Sequence, residues 1–196
     1  VKVKSLGILG GSGFYEASFF ERRSEKIVKT AFGDTSDRLQ IGELDDLRIV
    51  FIPRHGRKHA IPANMINHRA NIWAMKKLGV DRIISVSAVG SLREDFRPGD
   101  MVVPDQLVDR TRHRPDTFFG NGIVAHVSIA DPVSKTLAKV LADAADAEGA
   151  TTMRWLRDGT AISGATARMV SRLSRSAISA ERAARLPLNP FSFNCL

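Results

Sequence analysis

Val3-Lys4-Ser5-Leu6-Gly7-Ile8-Leu9-Gly10-Gly11-Ser12-Gly13 runs from an apolar segment straight into a glycine cluster. Val3 to Leu9 reads as a buried strand. The glycines let the backbone turn sharply and come close to a ligand. Strand followed by glycine turn is an α/β opening. Working outward, Arg38 to Glu43 and Leu47 to Pro53 flank the polar Asp45-Asp46 and predict a β-hairpin. From Asn64 to Leu78 the residues Met65, Ile66, Ile72, Trp73, Met75 and Leu78 recur at helical spacing, with Gly79 as the stop. Val80 to Val89 predicts a second buried strand, broken by Gly90-Ser91. Met101 to Val108 predicts a third after the Pro98-Gly99-Asp100 turn. Asp131-Pro132 opens a second helix through about Ala147. Strands alternating with helices predict an α/β fold with a mixed central β-sheet flanked by helices.

The chain has 196 residues, 43% of them hydrophobic, enough for one compact domain and too few for two ordinary ones. There is no apolar run of about 18 residues, and Val1 to Gly7 lacks the pattern of a signal peptide, so a cytoplasmic protein without a membrane span is expected. The sole cysteine, Cys195, can form neither an internal disulfide nor a cysteine metal cluster. The net charge of +8 raises the question of nucleic acid. Residues 151 to 196 hold seven arginines, no lysine and two acids, a net of +5, while residues 1 to 150 are nearly balanced at +3. The excess therefore sits in an Arg/Ser/Ala-rich tail without a stacking platform, and nucleic acid is not the expected partner. The composition shift places a boundary near residue 150, between an α/β domain (1–150) and a divergent tail (151–196).

Several loops carry candidate chemistry. The Gly10 to Gly13 turn offers backbone N–H groups, and Ser12 a hydroxyl, to an anion; a plain tight turn is the equal alternative. A dinucleotide fingerprint fails because Glu16 stands where a third glycine belongs, and no Gly-Lys-Ser/Thr follows as a phosphate loop would need. Pro53-Arg54-His55-Gly56-Arg57 puts two arginines and a histidine just past a strand end, where α/β proteins bind ligands. A guanidinium there is a natural oxyanion clamp, against the alternative of a solvated basic loop. His55, His59 and His68 lack the spacing and partners of a metal site, and none is expected. Ser85-Val86-Ser87-Ala88-Val89-Gly90-Ser91 sheds its bulky side chains toward its far end, leaving room for a phosphate or ribose hydroxyl beside Ser87, against the commoner alternative of a buried serine bonded to backbone.

Taken in order, these segments resemble the 5′-methylthioadenosine phosphorylase family within the purine nucleoside phosphorylase superfamily. The signatures are Ile8 to Gly13, Pro53 to Arg57, Asn67-His68-Arg69-Ala70-Asn71-Ile72-Trp73-Ala74, Ser87-Ala88-Val89-Gly90-Ser91-Leu92-Arg93-Glu94, Pro98-Gly99-Asp100 and Asp105-Gln106-Leu107-Val108-Asp109-Arg110-Thr111. The likeness covers about residues 3 to 150. It implies a nucleoside phosphorylase-like fold and phosphorolysis of methylthioadenosine to adenine and methylthioribose 1-phosphate, with inorganic phosphate as co-substrate and no cofactor or metal. By motif position it makes Ser12, Arg54, His55, Ser87 and the Ala88 backbone the phosphate ligands. Gly90 lines the substrate. The resemblance also implies a homotrimer whose site borrows His126 from a neighbouring subunit. Methylthioinosine or an ordinary purine nucleoside is the alternative substrate.

Beyond residue 150 the family's Glu-Gly-Pro segment, its Met-Thr contact and its purine-protonating aspartate have no counterpart. The fold is thus expected to be incomplete at the C-terminus, and the chain to show little phosphorolysis. In the alternative reading frame Ala161 to Arg168 can encode Tyr-Leu-x-x-Asp-Gly-Pro, close to the family pattern, so a frameshift near residues 150 to 158 accounts for the tail; disorder is the other account. From other classes, a non-catalytic phosphate-binding remnant and an RNA-binding protein acting through the tail remain open.

Overall fold

In the computed structural model the described residues are 3–15, 20–120, 122–149 and 152–154. Five strands form one mixed sheet in the order β2-β3-β4-β1-β5. They are β1 (Ser5–Gly10), β2 (Glu21–Lys26), β3 (Leu39–Leu44), β4 (Leu47–Pro53) and β5 (Arg82–Ser85). The hairpin β3–β4 turns through Asp45 and Asp46, with Asp45 at φ 50, as a short polar residue tolerates. β1 then runs parallel to both β4 and β5, with Gly10 level with Pro53 and Leu9 level with Ser85. Three neighbouring parallel strands therefore release their chains at the same end of the sheet, in the order β4, β1, β5.

The strand pleat divides the core in two. Ile8, Ile49, Phe51 and Ile84 face one side, where they cluster with Leu137 and Ala144 of α2 (Lys135–Ala147). Leu9, Val50 and Ile52 face the other, against Ile72, Ala74 and Met75 of α1 (His68–Lys77). At Gly7 the helix layer comes so close that a Cβ would stand 2.8 Å from Met75 Sδ and 2.9 Å from Val80 Cγ1. A short parallel pair, β6 (Met101–Val103) with β7 (Thr152–Arg154), lies in a second sheet, in contact with α2. Residues 155–196, and with them almost all of the divergent tail, lie outside the described residues.

Element boundaries differ from the sequence expectation for local reasons. The first helix starts at His68, not Asn64, because Asn67 Oδ1 accepts from Ala70 N–H at 3.1 Å and caps it there. Ala63–Met65 ahead of it form a single 3₁₀ turn, and Met65, assigned to the apolar stripe, is 70% exposed. β5 spans four residues, since Val86 leaves the ladder after one last bond to the Leu9 carbonyl. β6 ends at Val103 because Pro104 has no N–H to donate. α2 starts at Lys135 behind its Ser134 cap, three residues beyond Pro132. β2, with the sequence Glu-Arg-Arg-Ser-Glu-Lys, is an edge strand without hydrophobic alternation and was not anticipated.

Phe51 is wholly buried, and its ring meets Phe14 edge-on with centroids 5.5 Å apart. Phe51→Ala is expected to cost about 3–5 kcal/mol of stability in urea unfolding; a loss below about 1 kcal/mol would show that this side of the sheet is not a packed core.

Candidate active site

The site is built where β4, β1 and β5 end. Arg54 follows β4, and its N–H donates to the Gly10 carbonyl at 2.9 Å, tying the start of its loop to the end of β1. Its guanidinium then crosses behind the glycine turn toward β5. Nη1 donates to the Val86 carbonyl at 2.7 Å and Nη2 to Ser87 Oγ at 3.1 Å. Gly11 forms the wall along which it passes. A Cβ there would stand 2.5 Å from Nη2 and 2.7 Å from Nη1, besides striking the Val86 carbonyl oxygen. Glycine is thus required at position 11 by close approach. The turn itself closes with Phe14 N–H on the Gly11 carbonyl at 3.0 Å and carries Ser12 exposed at its tip, next to Gly13 at φ 81.

The two arginines of the Pro53 to Arg57 segment have opposite surroundings. Arg57 donates to Asp37 through Nε and Nη2, both at 3.1 Å, and to Glu25 at 3.3 Å. These bonds, the one to Asp37 foremost, raise its pKa further. Burial alone would raise Asp37, but the Arg57 and Arg38 hydrogen bonds outweigh it and lower its pKa. Arg57 is therefore neutralised and serves to hold its loop. Arg54 is half-buried, burial pushes its pKa down, and among the described residues its side-chain hydrogen bonds go to a carbonyl and a hydroxyl, with no carboxylate. A partly desolvated cation without a counter-ion is an unmet electrostatic demand, and a bound oxyanion meets it.

His55, 7% exposed, donates from Nδ1 to the Ile61 carbonyl at 2.8 Å, which fixes the ring. His59 stacks on it at 4.6 Å and is hydrogen-bonded through Nδ1 to the Tyr15 hydroxyl at 2.8 Å, although its own backbone sits at φ 51. The sequence alone does not single out Tyr15, and it offers His59 only as a metal candidate and His68 as that and as part of a family signature. The four-residue spacing of His55 and His59 was the available sign. His68 opens α1, and its Nε2 accepts from Arg114 Nη1 at 3.4 Å. Burial first, then the charges of Arg114, Arg54 and His55, hold its pKa below the ordinary histidine value. Ala88 and Gly90 follow Ser87 on exposed chain. Arg54, Ser87 and the Gly11–Ser12 turn are thus brought together, with His55 on the same loop as Arg54. His126 is not; it stands exposed on the irregular segment that leads to α2. Among the described residues no group of three or more His, Cys, Asp or Glu side chains is placed to hold a metal ion.

A profile for the phosphorylase superfamily matches residues 5–178. The S-methyl-5′-thioadenosine phosphorylase of Hyperthermus butylicus is 55% identical over 132 residues, 67% of this chain and 48% of the relative. That of Geobacter sulfurreducens is 53% identical over 150 residues, 76% of this chain and 52% of the relative. Among solved structures, methylthioadenosine phosphorylase from Schistosoma mansoni in complex with adenine superposes with a TM-score of 0.71 at 42% identity, covering 74% of this chain and 54% of that one. Its complex with tubercidin gives 0.72 at 41% identity, covering 76% of this chain and 54% of that one. The chain spans about half the length of the curated relatives it matches.

The depressed pKa of His68 has a consequence for stability. Below about pH 6.5 the unfolded chain protonates this histidine while the folded one resists, so the unfolded state binds more protons and stability falls as pH drops toward the folded value. Denaturant midpoints measured from pH 7.5 down to 5 are expected to decline in the wild type and to decline less in His68→Gln, which has no proton to take up. Equal declines would remove His68 as the cause.

Proposed function

This chain belongs to the phosphorylase superfamily, and on that premise we propose that its protein splits 5′-methylthioadenosine with inorganic phosphate, giving adenine and 5-methylthioribose 1-phosphate. The observation that carries the reading is the Arg54 guanidinium, half-buried, bonded to no carboxylate among the described residues and bonded to Ser87 behind the Gly11–Ser12 turn. Similarity to S-methyl-5′-thioadenosine phosphorylases over two thirds or more of the chain supports the choice of nucleoside.

In this reading Arg54 supplies the charge that draws phosphate, Ser12 and Ser87 donate their hydroxyls, the Ala88 N–H adds a backbone donor, and the clamped ring of His55 completes the cradle. A phosphate oxygen attacks C1′ of the ribose as the C1′–N9 bond breaks. The electron pair leaves with adenine, which takes up a proton. Positive charge develops on the sugar during this exchange, and the held dianion lies beside it, so positioning and electrostatics supply the acceleration. No metal or organic cofactor enters. Gly90, by its motif position, borders the sugar. The purine-protonating acid is not among residues 1–150, and a positioned acid typically contributes 10²- to 10⁴-fold.

The protein works in the cytoplasm as a homotrimer. Phe118, Phe119, Ile123, Val124, Val127 and Ile129 are between 42% and 82% exposed in the isolated chain, an apolar run that a neighbouring subunit would cover. His126 lies within it and would line the neighbour's site. Among the described residues no helix is long and apolar enough to cross a membrane.

Two measurements test this reading. Calorimetric titration of the chain with inorganic phosphate is expected to show binding that Arg54→Ala weakens at least about tenfold and that Gly11→Ala also weakens by displacing the guanidinium. A chimera joining residues 1–150 to the C-terminal half of the Geobacter sulfurreducens relative is expected to release adenine from methylthioadenosine only when phosphate is present. Release without phosphate would make it a nucleosidase and refute the proposal.

A further inference from the structure

Asn67, His68 and Arg69, at the start of α1, together grip two pieces of irregular chain, the Phe32 loop and residues 114–118. Asn67 Nδ2 donates to the Phe32 carbonyl at 2.7 Å. Arg69 lays its guanidinium 5.1 Å from the Phe32 ring centroid and donates from Nη1 to the Thr117 carbonyl at 3.1 Å. Phe118 meets Phe32 edge-on with centroids 5.3 Å apart. His68 holds the remaining contact, accepting at Nε2 from Arg114. Residues 114–118 are thereby fastened at both ends to one helical turn.

This fastening matters because of what lies around it. Between β6 and α2 the described chain has no helix or strand for some thirty residues, so backbone ladders do not fix its path. Gln106 also ties this stretch to itself, donating to the Ile129 and Ala130 carbonyls at 3.4 and 3.1 Å. Arg114 is half-buried, whereas Arg110 and Arg112 on the same stretch are exposed. A half-buried guanidinium on an imidazole nitrogen is a directed contact, since only the lone pair of a neutral ring can accept it.

We propose that Arg114 is a positioning residue: seated on His68, it clasps the 114–118 strap to α1 beside the Arg54 cluster, and so sets the course of residues 119–129. Its value for the reaction, to place His126 where a neighbouring subunit meets it, rests on the phosphorylase reading; the clasp itself does not. His68 also feels the charges of Arg54 and His55, so the clasp closes within electrostatic reach of the anion cradle. The hydrogen bond, at 3.4 Å, lies at the long end of the usual range. It therefore works together with the Arg69–Thr117 and Phe32–Phe118 contacts rather than alone.

Hydrogen–deuterium exchange of the full chain at pH 7.5 tests the clasp. His68→Phe keeps a ring but removes the acceptor, and is expected to speed exchange over residues 112–119 about tenfold without changing β1 or β4. Arg114→Met keeps the apolar stem and removes the donor, and is expected to do the same. His68→Gln restores an acceptor through its side-chain carbonyl, and is expected to stay within about twofold of the wild type. Wild-type exchange in Arg114→Met, or exchange in His68→Gln as fast as in His68→Phe, would overturn the proposal. Should His68→Phe fail to fold, the Arg114→Met result decides alone. Phosphate does not enter this readout, so a chain that binds no phosphate sinks the phosphorylase reading and leaves the clasp to be judged by its own exchange data.

Discussion

A guanidinium held half out of water, with no carboxylate bonded to it among the described residues, is the constraint around which the site is arranged. Burying part of a charge is costly, and the two bonds Arg54 makes, to the Val86 carbonyl and to Ser87 Oγ, orient it without cancelling that charge. Arg57, three residues on, shows the contrast. It meets two carboxylates and is satisfied by the protein alone. That difference between neighbouring arginines is what the proposed phosphate site rests on.

The sheet makes that arrangement possible. Because β1 lies between β4 and β5 with all three parallel, three loops leave from one end within a strand spacing or two of each other. The hairpin β3–β4 and the edge strand β2 extend the sheet on the far side and keep β4 buried. Gly11 lets the guanidinium pass between the loops, and any side chain there would block it. The two apolar clusters, one beneath α1 and one beneath α2, hold the strands rigid enough for hydrogen-bond distances to be kept at their ends.

The first turn of α1 has a second duty. Asn67 caps the helix and also reaches the Phe32 loop, while His68 and Arg69 face residues 114–118. One turn, whose His68 feels the charges of Arg54 and His55, thus holds the irregular stretch that bears the exposed apolar side chains and His126. The proposed homotrimer would need that stretch held in a definite course.

What the sequence determined by itself was the alternation of apolar runs, turns and helical stripes, and hence an α/β fold with a mixed sheet. It also showed the small residues and the arginine at strand ends, because those patterns are local. Short motifs made Ser12, Arg54, His55 and Ser87 candidates, and the family resemblance ordered them. It did not show which of Arg54 and Arg57 stays uncompensated, since Asp37 and Glu25 reach Arg57 from other strands and loops. Nor did it show that Arg114 meets His68 across 46 positions. Charged edge strands such as β2, and helix starts set by a single cap such as Asn67, were equally hidden, for they depend on neighbours rather than on period. Those outcomes belong to tertiary structure, because the energy of a charge is set by what surrounds it in space, and only the folded chain decides the surroundings.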